Sequence, residues 1–257
     1  MKRLGLPLAG LLLVLPLWWA ATAWLQLRTP IASAFAPDAT AQALWRLAGD
    51  SQLGWHVLHS LKRVAVGLAL ALVCGVPLGV LVGLSRRFAR GTSALFQFLR
   101  MVSPLSWMPI AVMVLGVGDA PVYFLLAFAA VWPVMLNTAS GVALLDPHWL
   151  LLARSLSATR SETVWRVVLP GITADILTGV RLAIGVIWIV LVPAEMLGVS
   201  AGLGYFVLDT RDRLAYDELM AAIVVIGALG FALDWLARAL HARWSGQAAA
   251  AAAAEGA

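Results

Sequence analysis

Residues 64–84 read VAVGLALALVCGVPLGVLVGL and meet no charge before Arg86 and Arg87. About 20 predominantly apolar residues cross a bilayer core as a helix, so this stretch alone places the chain in a membrane. The rest of the sequence agrees. Of 257 residues, 62% are hydrophobic and 12% charged, and mean hydropathy is +0.90. A soluble domain is about half apolar and a quarter charged, so this chain lacks the polar surface to face water on all sides. One cysteine and no glycine period exclude disulfide-rich and collagen-like classes, and the abundance of Leu, Val and Ile excludes disorder. The net charge of +5 and the pI near 10.1 read as cationic cytoplasmic loops rather than a nucleic-acid surface. The expected fold is an all-α integral membrane protein.

Working outward from 64–84, further charge-free runs occupy 4–25, 101–117, 121–145, 182–194 and 219–233, which predicts six spans. Pro104 and Pro109 break the third, and Glu195 interrupts the fifth. Ala21-Thr22-Ala23 has the form of a signal-peptide cleavage site, but the long apolar run and Trp18, Trp19 and Trp24 favour a retained span. With the N-terminus inside, cytoplasmic segments hold Lys2, Arg3, Arg86, Arg87, Arg90, Arg154, Arg160, Arg166, Arg238 and Arg243. Outer segments hold Arg28, Arg46, Lys62, Arg63, Arg211 and Arg213. The ten-to-six excess places both termini in the cytoplasm. A single membrane domain is expected over residues 1–247, followed by a low-complexity, alanine-rich tail over 248–257.

Residues 37–63 look amphipathic. Thr40 is a candidate cap for a short helix ending near Gly49, and Asp50 or Ser51 for the next. Trp45, Trp55, Leu58 and Leu61 would lie at the interface level. His56 and His59 share a face without further metal ligands nearby, which favours packing over metal binding. Cys74, inside an apolar span, reads as a small core residue.

The inward segment 146–170 is the most informative. Asp146-Pro147 reads as an N-cap followed by a first-turn proline. A short helix follows over 148–156, with Trp149, Leu150 and Leu152 turned to an apolar partner. Ser157-Ala158 makes a turn, Thr159-x-x-Glu162 is a capping box, and Leu169-Pro170 is expected to stop the second helix. A helix-turn-helix held at the bilayer surface is a docking element.

Ala153, Ala158 and Leu169-Pro170, with Val167 two residues before Leu169, resemble the signature loop of ABC importer permeases. That loop reads Glu-Ala-Ala, three residues, Gly, nine residues, Ile-x-Leu-Pro. Leu151, Leu152 and Ser157 stand where Glu, Ala and Gly are usual, and a turn glycine adopts positive φ cheaply whereas serine does not. The resemblance extends from Trp55 to Trp235, with the permease core at about residues 55–240. Ser60-Leu-Lys-Arg-Val, Gly75-Val-Pro-Leu-Gly and Gly83-Leu-Ser-Arg-Arg look like the nitrate/sulfonate/taurine group. Ser103-Pro-Leu-Ser-Trp-Met-Pro, Trp132-Pro-Val-Met-Leu-Asn-Thr, and Glu195-Met-Leu with Gly202-Leu-Gly-Tyr-Phe-Val are similar to its nitrate, nitrite and cyanate branch.

The resemblance implies the transmembrane permease subunit of an ATP-driven importer in the bacterial inner membrane, with type I-like architecture. Two copies, expected to be identical, would form the path. Separate ATPase subunits would bind ATP and Mg and push on a coupling loop of Ala153, Ser157, Ala158, Thr159, Glu162, Leu169 and Pro170. An outer binding protein would deliver a small anion, nitrate or a relative such as nitrite or cyanate; a permease for sulfonate, taurine or another small organic solute and a stand-alone anion channel are the alternatives.

Within the spans, a carboxylate at mid-bilayer costs a few kcal/mol, so Glu195 should face a partner or an aqueous cavity. Ser103 and Asn137 offer neutral donors that suit passage of an oxyanion without trapping it, or hydrogen bonds between helices. Trp107 beside Met108 is bulky enough for a gate, though a packed aromatic is the simpler role. These five residues form the candidate pathway. Arg100 and Arg181, placed at the openings of the third and fifth spans, read as snorkelling cations. The chain has no phosphate-binding Gly-Lys loop and no catalytic or metal-ligand constellation, so it is expected to hold no cofactor and to hydrolyse no ATP itself.

Overall fold

A computed structural model describes the backbone of residues 5–49 and 51–255 and the side chains of residues 13–49 and 51–242. Asp50, Lys2 and Arg3 lie outside the described residues, as do the side chains of Arg243 and the alanine tail. The chain is helical nearly throughout, with no strand among the described residues. In order the helices are α1 (Gly5–Gln26), α2 (Pro37–Gly49), α3 (Ser51–Leu84), α4 (Arg86–Met101), α5 (Met108–Leu115), α6 (Asp119–Leu144), α7 (Pro147–Ser155), α8 (Arg160–Thr163), α9 (Leu169–Gly171), α10 (Thr173–Gly198), α11 (Leu203–Asp212) and α12 (Tyr216–Glu255). Four are long and apolar enough to cross a membrane: Ser51–Leu84, Asp119–Leu144, Thr173–Gly198 and the Tyr216–Ala242 part of α12. A fifth span arises if Arg86–Met101 and Pro104–Leu115, bent by 87°, act as one.

Three expectations change here. The segment 51–63 is the start of α3 rather than a separate interfacial helix, because the helical pattern continues unbroken from Ser51 to Leu84. At 1.5 Å per residue α3 is about 50 Å long, well beyond the bilayer core, and Lys62 and Arg63 belong to it rather than to a loop. The third expected span, 101–117, is not one continuous helix. Helix α4 starts at Arg86, capped by the Ser85 hydroxyl on Phe88 N–H, and breaks at Val102–Ser103, where the following Pro104 disfavours helical backbone. Cys74 is exposed on α3, on the side turned away from the neighbouring helices rather than in the core.

The chain forms two compact units, Met1–His59 with Ala201–Ala228, and Ser60–Ser200 with Leu229–Ala257. In the first, the Trp18 indole donates to Phe35 carbonyl at 3.0 Å, and Phe35 stacks edge-on against Tyr216. Arg46 pairs with Asp217. His56 Nδ1 accepts the Gly202 N–H at 3.0 Å. Thr40 does not cap α2, which begins three residues earlier; its hydroxyl donates to the carbonyl of Ala36, the residue just before the helix.

In the second unit α6 is the centre. Leu125, Leu126, Ala129, Ala130 and Val134 of α6 pack with Ala183, Ile187 and Leu191 of α10 and with Val64 and Ala71 of α3. Lipid tails are as apolar as leucine, so membrane helices associate through close packing of small residues rather than through hydrophobic burial. Gly75, Gly79 and Gly83, one per helical turn of α3, supply that surface. A methyl group on Gly79 would sit 2.6 Å from the Met135 carbonyl oxygen, and one on Gly83 would sit 2.5 Å from Val142 Cβ.

Candidate functional site

The segment between α6 and α10 is built from end signals. Asp146 accepts the His148 N–H at 2.9 Å, and Pro147 occupies the first helical position of α7. At the other end Ser157 N–H donates to Arg154 carbonyl (3.0 Å) and Ala158 N–H to Ala153 carbonyl (2.9 Å). This pair of bonds is a Schellman motif, whose first residue beyond the cap takes left-handed backbone. That residue is Ser157, at φ +54°. Thr159 opens α8 with both halves of the capping box: Glu162 N–H donates to Thr159 Oγ1 (3.2 Å), and Thr159 N–H donates to Glu162 Oε2 (2.9 Å). These backbone donors hold the Asp146 and Glu162 carboxyls below the usual carboxylate range.

After α8 the helix widens into a π turn over Val164–Val168. Leu169-Pro170 does not stop it. Proline is tolerated in a first turn, where its missing N–H is not needed, and helical geometry runs on as α9 to Gly171. The direction changes at Ile172, with φ −107° and ψ 11°. Val168 and Ile172 are buried with Val80 and Val142, so the segment is anchored on the ends of α3 and α6. Its other face is open. Trp149, Leu152, Leu156 and Trp165 are half or more exposed, and the first three line a cleft of about 530 Å³. Leu150, expected on that face, is half-buried against the Val168 cluster instead. Ala153 is buried, Ala158 half-buried, and Thr159 and Glu162 exposed.

The five candidate pathway residues do not converge. Met108 is buried in the α6 core, with Trp107 packed against it and the Trp107 ring 5.7 Å from Phe128. Ser103 is exposed at the break after α4, where its carbonyl accepts Ser106 N–H. Asn137 Nδ2 donates to Pro133 carbonyl on its own helix (2.8 Å) and lines a cleft with Arg100 and Pro104. Arg100 closes the last turn of α4 rather than opening a span, and Arg181 lies two turns into α10, 3.9 Å from Asp234.

Glu195 meets the partner its position requires, and that partner is one the sequence reading placed in a loop. Glu195 is 0% and Arg63 2% exposed. Arg63 Nη1 donates to Glu195 at 2.6 Å, and Ser60 Oγ donates to the same carboxylate at 2.8 and 2.9 Å. Arg63 also holds Asp119 at 2.6 and 2.9 Å, with Lys62 at 3.8 Å. The cluster ties α3, α6 and α10 together. Once 51–84 is read as one helix, Ser60 and Arg63 fall at i, i+3 on one face, which was the signal available.

A family model described as "Binding-protein-dependent transport system inner membrane component" matches residues 75–246. The chain is 36% identical to the bicarbonate transport system permease protein CmpB of Synechococcus elongatus, over 91% of this chain and 88% of that protein. It is 35% identical to the nitrate import permease protein NrtB of Leptolyngbya laminosa, over 73% and 67%. It is 33% identical to the taurine transport system permease protein TauC of Escherichia coli K12, over 96% and 92%. Among solved structures, a chain of the MetNI methionine ABC transporter in an inward-facing conformation superposes with TM-score 0.56 at 17% identity, over 72% of this chain and 94% of that one.

Proposed function

This chain belongs to the family of binding-protein-dependent transport system inner membrane components, and from that premise we propose that it is the permease subunit of an ATP-driven importer of a small monovalent oxyanion. It is a transport component of the inner membrane. Nitrate and bicarbonate, named for two of its relatives, are both flat, three-oxygen anions of one charge, and nitrate is the substrate the sequence favours. Import of a sulfonate such as taurine, the cargo named for a third relative, is the second reading.

In this reading the chain spans the membrane six times, with α1 as the first span, the bent α4–α5 pair as the third and both termini inside. Two copies form the path. An outer binding protein delivers the anion, and separate ATPase subunits bind ATP and Mg. The loop Asp146–Gly171 seats in a groove of each ATPase subunit and carries its movement to α6 and α10. The observation that carries this is the loop's construction: capped at both helix starts, anchored at Val168 and Ile172, and apolar on its free face. A channel acting alone has no use for such an element.

Ala158→Asp tests it. The change sets an unpaired charge in the contact, and desolvating that charge costs several kcal/mol in an apolar groove. The variant is expected to insert normally but to lose co-purification with the ATPase and anion-stimulated ATP hydrolysis. Wild-type association and transport by membrane-inserted Ala158→Asp would refute the docking role. Anion flux through the isolated chain without ATP would favour the channel.

A further inference from the structure

Non-helical backbone at membrane depth is tolerated only where protein buries it or it lines a cavity, and interrupted spans mark binding sites in transporters more often than intact ones. The break between α4 and α5 at Val102–Ser103 has such a cavity beside it, a cleft of about 400 Å³ walled by Arg100, Val102 and Pro104, by Trp132, Pro133 and Asn137 of α6, and by α10. Arg100 and Trp132 also wall a second cleft of about 320 Å³, together with Gln97 and Ser93. No Asp or Glu lines either cleft.

Among the described residues Arg100 meets no carboxylate; its Nη2 donates to Gln97 Oε1 at 2.8 Å. One donor of five is thereby used to orient the guanidinium, and the others stay open. Asn137 spends one amide hydrogen on Pro133 carbonyl and keeps a second. A positive charge beside the open amide hydrogen of Asn137, without a competing carboxylate in the cleft, selects an anion that accepts hydrogen bonds.

We propose that Arg100, oriented by Gln97 and flanked by Asn137, forms an oxyanion-binding site at the break between α4 and α5. This rests on the importer reading above, in which the ligand is the transported nitrate or bicarbonate. A lipid phosphate offers the same chemistry from a different source. A single guanidinium at an open cleft, with neutral helpers, holds a monovalent anion firmly enough to collect it and loosely enough to let it leave.

The test uses the assembled complex of permease, ATPase and binding protein in vesicles of phosphatidylcholine alone and of phosphatidylcholine with phosphatidylglycerol, with uptake of nitrate and of bicarbonate as readouts. Loss of a charge-assisted contact in Arg100→Gln is expected to lower uptake about tenfold or more in both lipids, with Arg100→Lys retaining part of it. Gln97→Ala, which frees the guanidinium without altering its charge, is expected to lower uptake by less and to serve if Arg100→Gln does not assemble. Wild-type uptake by an assembled Arg100→Gln complex would overturn the site. A defect confined to vesicles containing phosphatidylglycerol would assign the guanidinium to headgroup phosphate and overturn its role in transit. A wild-type complex that moves neither nitrate nor bicarbonate would instead overturn the importer reading on which the site depends.

Discussion

Ser157 holds φ at +54°, a conformation that costs an L residue about 1–2 kcal/mol and glycine little. Both bonds of the Schellman motif close around it, so the loop keeps the turn that a glycine would make and carries the strain of doing so with a side chain. Ser157→Gly should therefore raise protection of the Ala153–Glu162 backbone against hydrogen exchange, by about 1 kcal/mol less the added freedom of the unfolded chain. Unchanged or lower protection would show that the serine side chain stabilises the turn. The Glu195–Arg63 pair calls for a different comparison. Removing one member of a buried pair leaves the other uncompensated, typically at about 3–5 kcal/mol, whereas replacing both by apolar groups is often neutral. Asp119 still touches Arg63, so Glu195→Gln should fall at the low end of that range. Thermal unfolding in detergent should rank Glu195→Gln below the double variant Arg63→Met/Glu195→Met, and both below or near wild type. If Glu195→Gln is as stable as wild type but transports poorly, Glu195 acts in the pathway rather than in packing.

At the scale of elements, the end signals were the most legible part of the sequence. The Asp146-Pro147 start, the turn at Ser157-Ala158 and the Thr159/Glu162 box are local, and each is decided within four residues. Span limits were harder to read. Arg63 looked like a loop cation because its partners Glu195 and Asp119 are remote in sequence, and Pro104 marked a break without revealing that the helix before it began at Arg86. The close approach of α3 to α6 through Gly75, Gly79 and Gly83 depends on what stands opposite, which no single segment records. The caps have a pH signature of their own. Asp146 and Glu162 titrate below the usual carboxylate range in the folded loop. Their contribution is therefore complete above the unfolded-state pKa and is lost as pH falls through the lowered folded-state value. Hydrogen exchange over residues 146–168 should stay flat from neutral pH down to the ordinary carboxylate range after correction for intrinsic rates, and rise only below it. Thr159→Ala, which removes half of the box, should raise it at neutral pH as well, by about 0.5–2 kcal/mol.

For the molecule as a whole, the proposed arrangement across the membrane is argued from charge rather than from packing. Lysine and arginine near span ends are retained on the cytoplasmic side, and the segment from Asp146 to Gly171 carries Arg154, Arg160 and Arg166. The segment around α11 carries only Arg211 and Arg213, fewer than the three of the capped loop, and its acidic neighbours count for little in this bias. Single cysteines read the sidedness directly. Cys74 is exposed and must first be replaced, by Cys74→Ala. Ser161 on α8 and Asp212 at the end of α11 are both exposed and suit the two probes. In sealed, right-side-out vesicles a membrane-impermeant maleimide should modify Asp212→Cys at once and Ser161→Cys only after permeabilisation. Inverted vesicles should reverse the order. Modification of both from one side would overturn the proposed six-span arrangement and, with it, the proposed cytoplasmic placement of the capped loop.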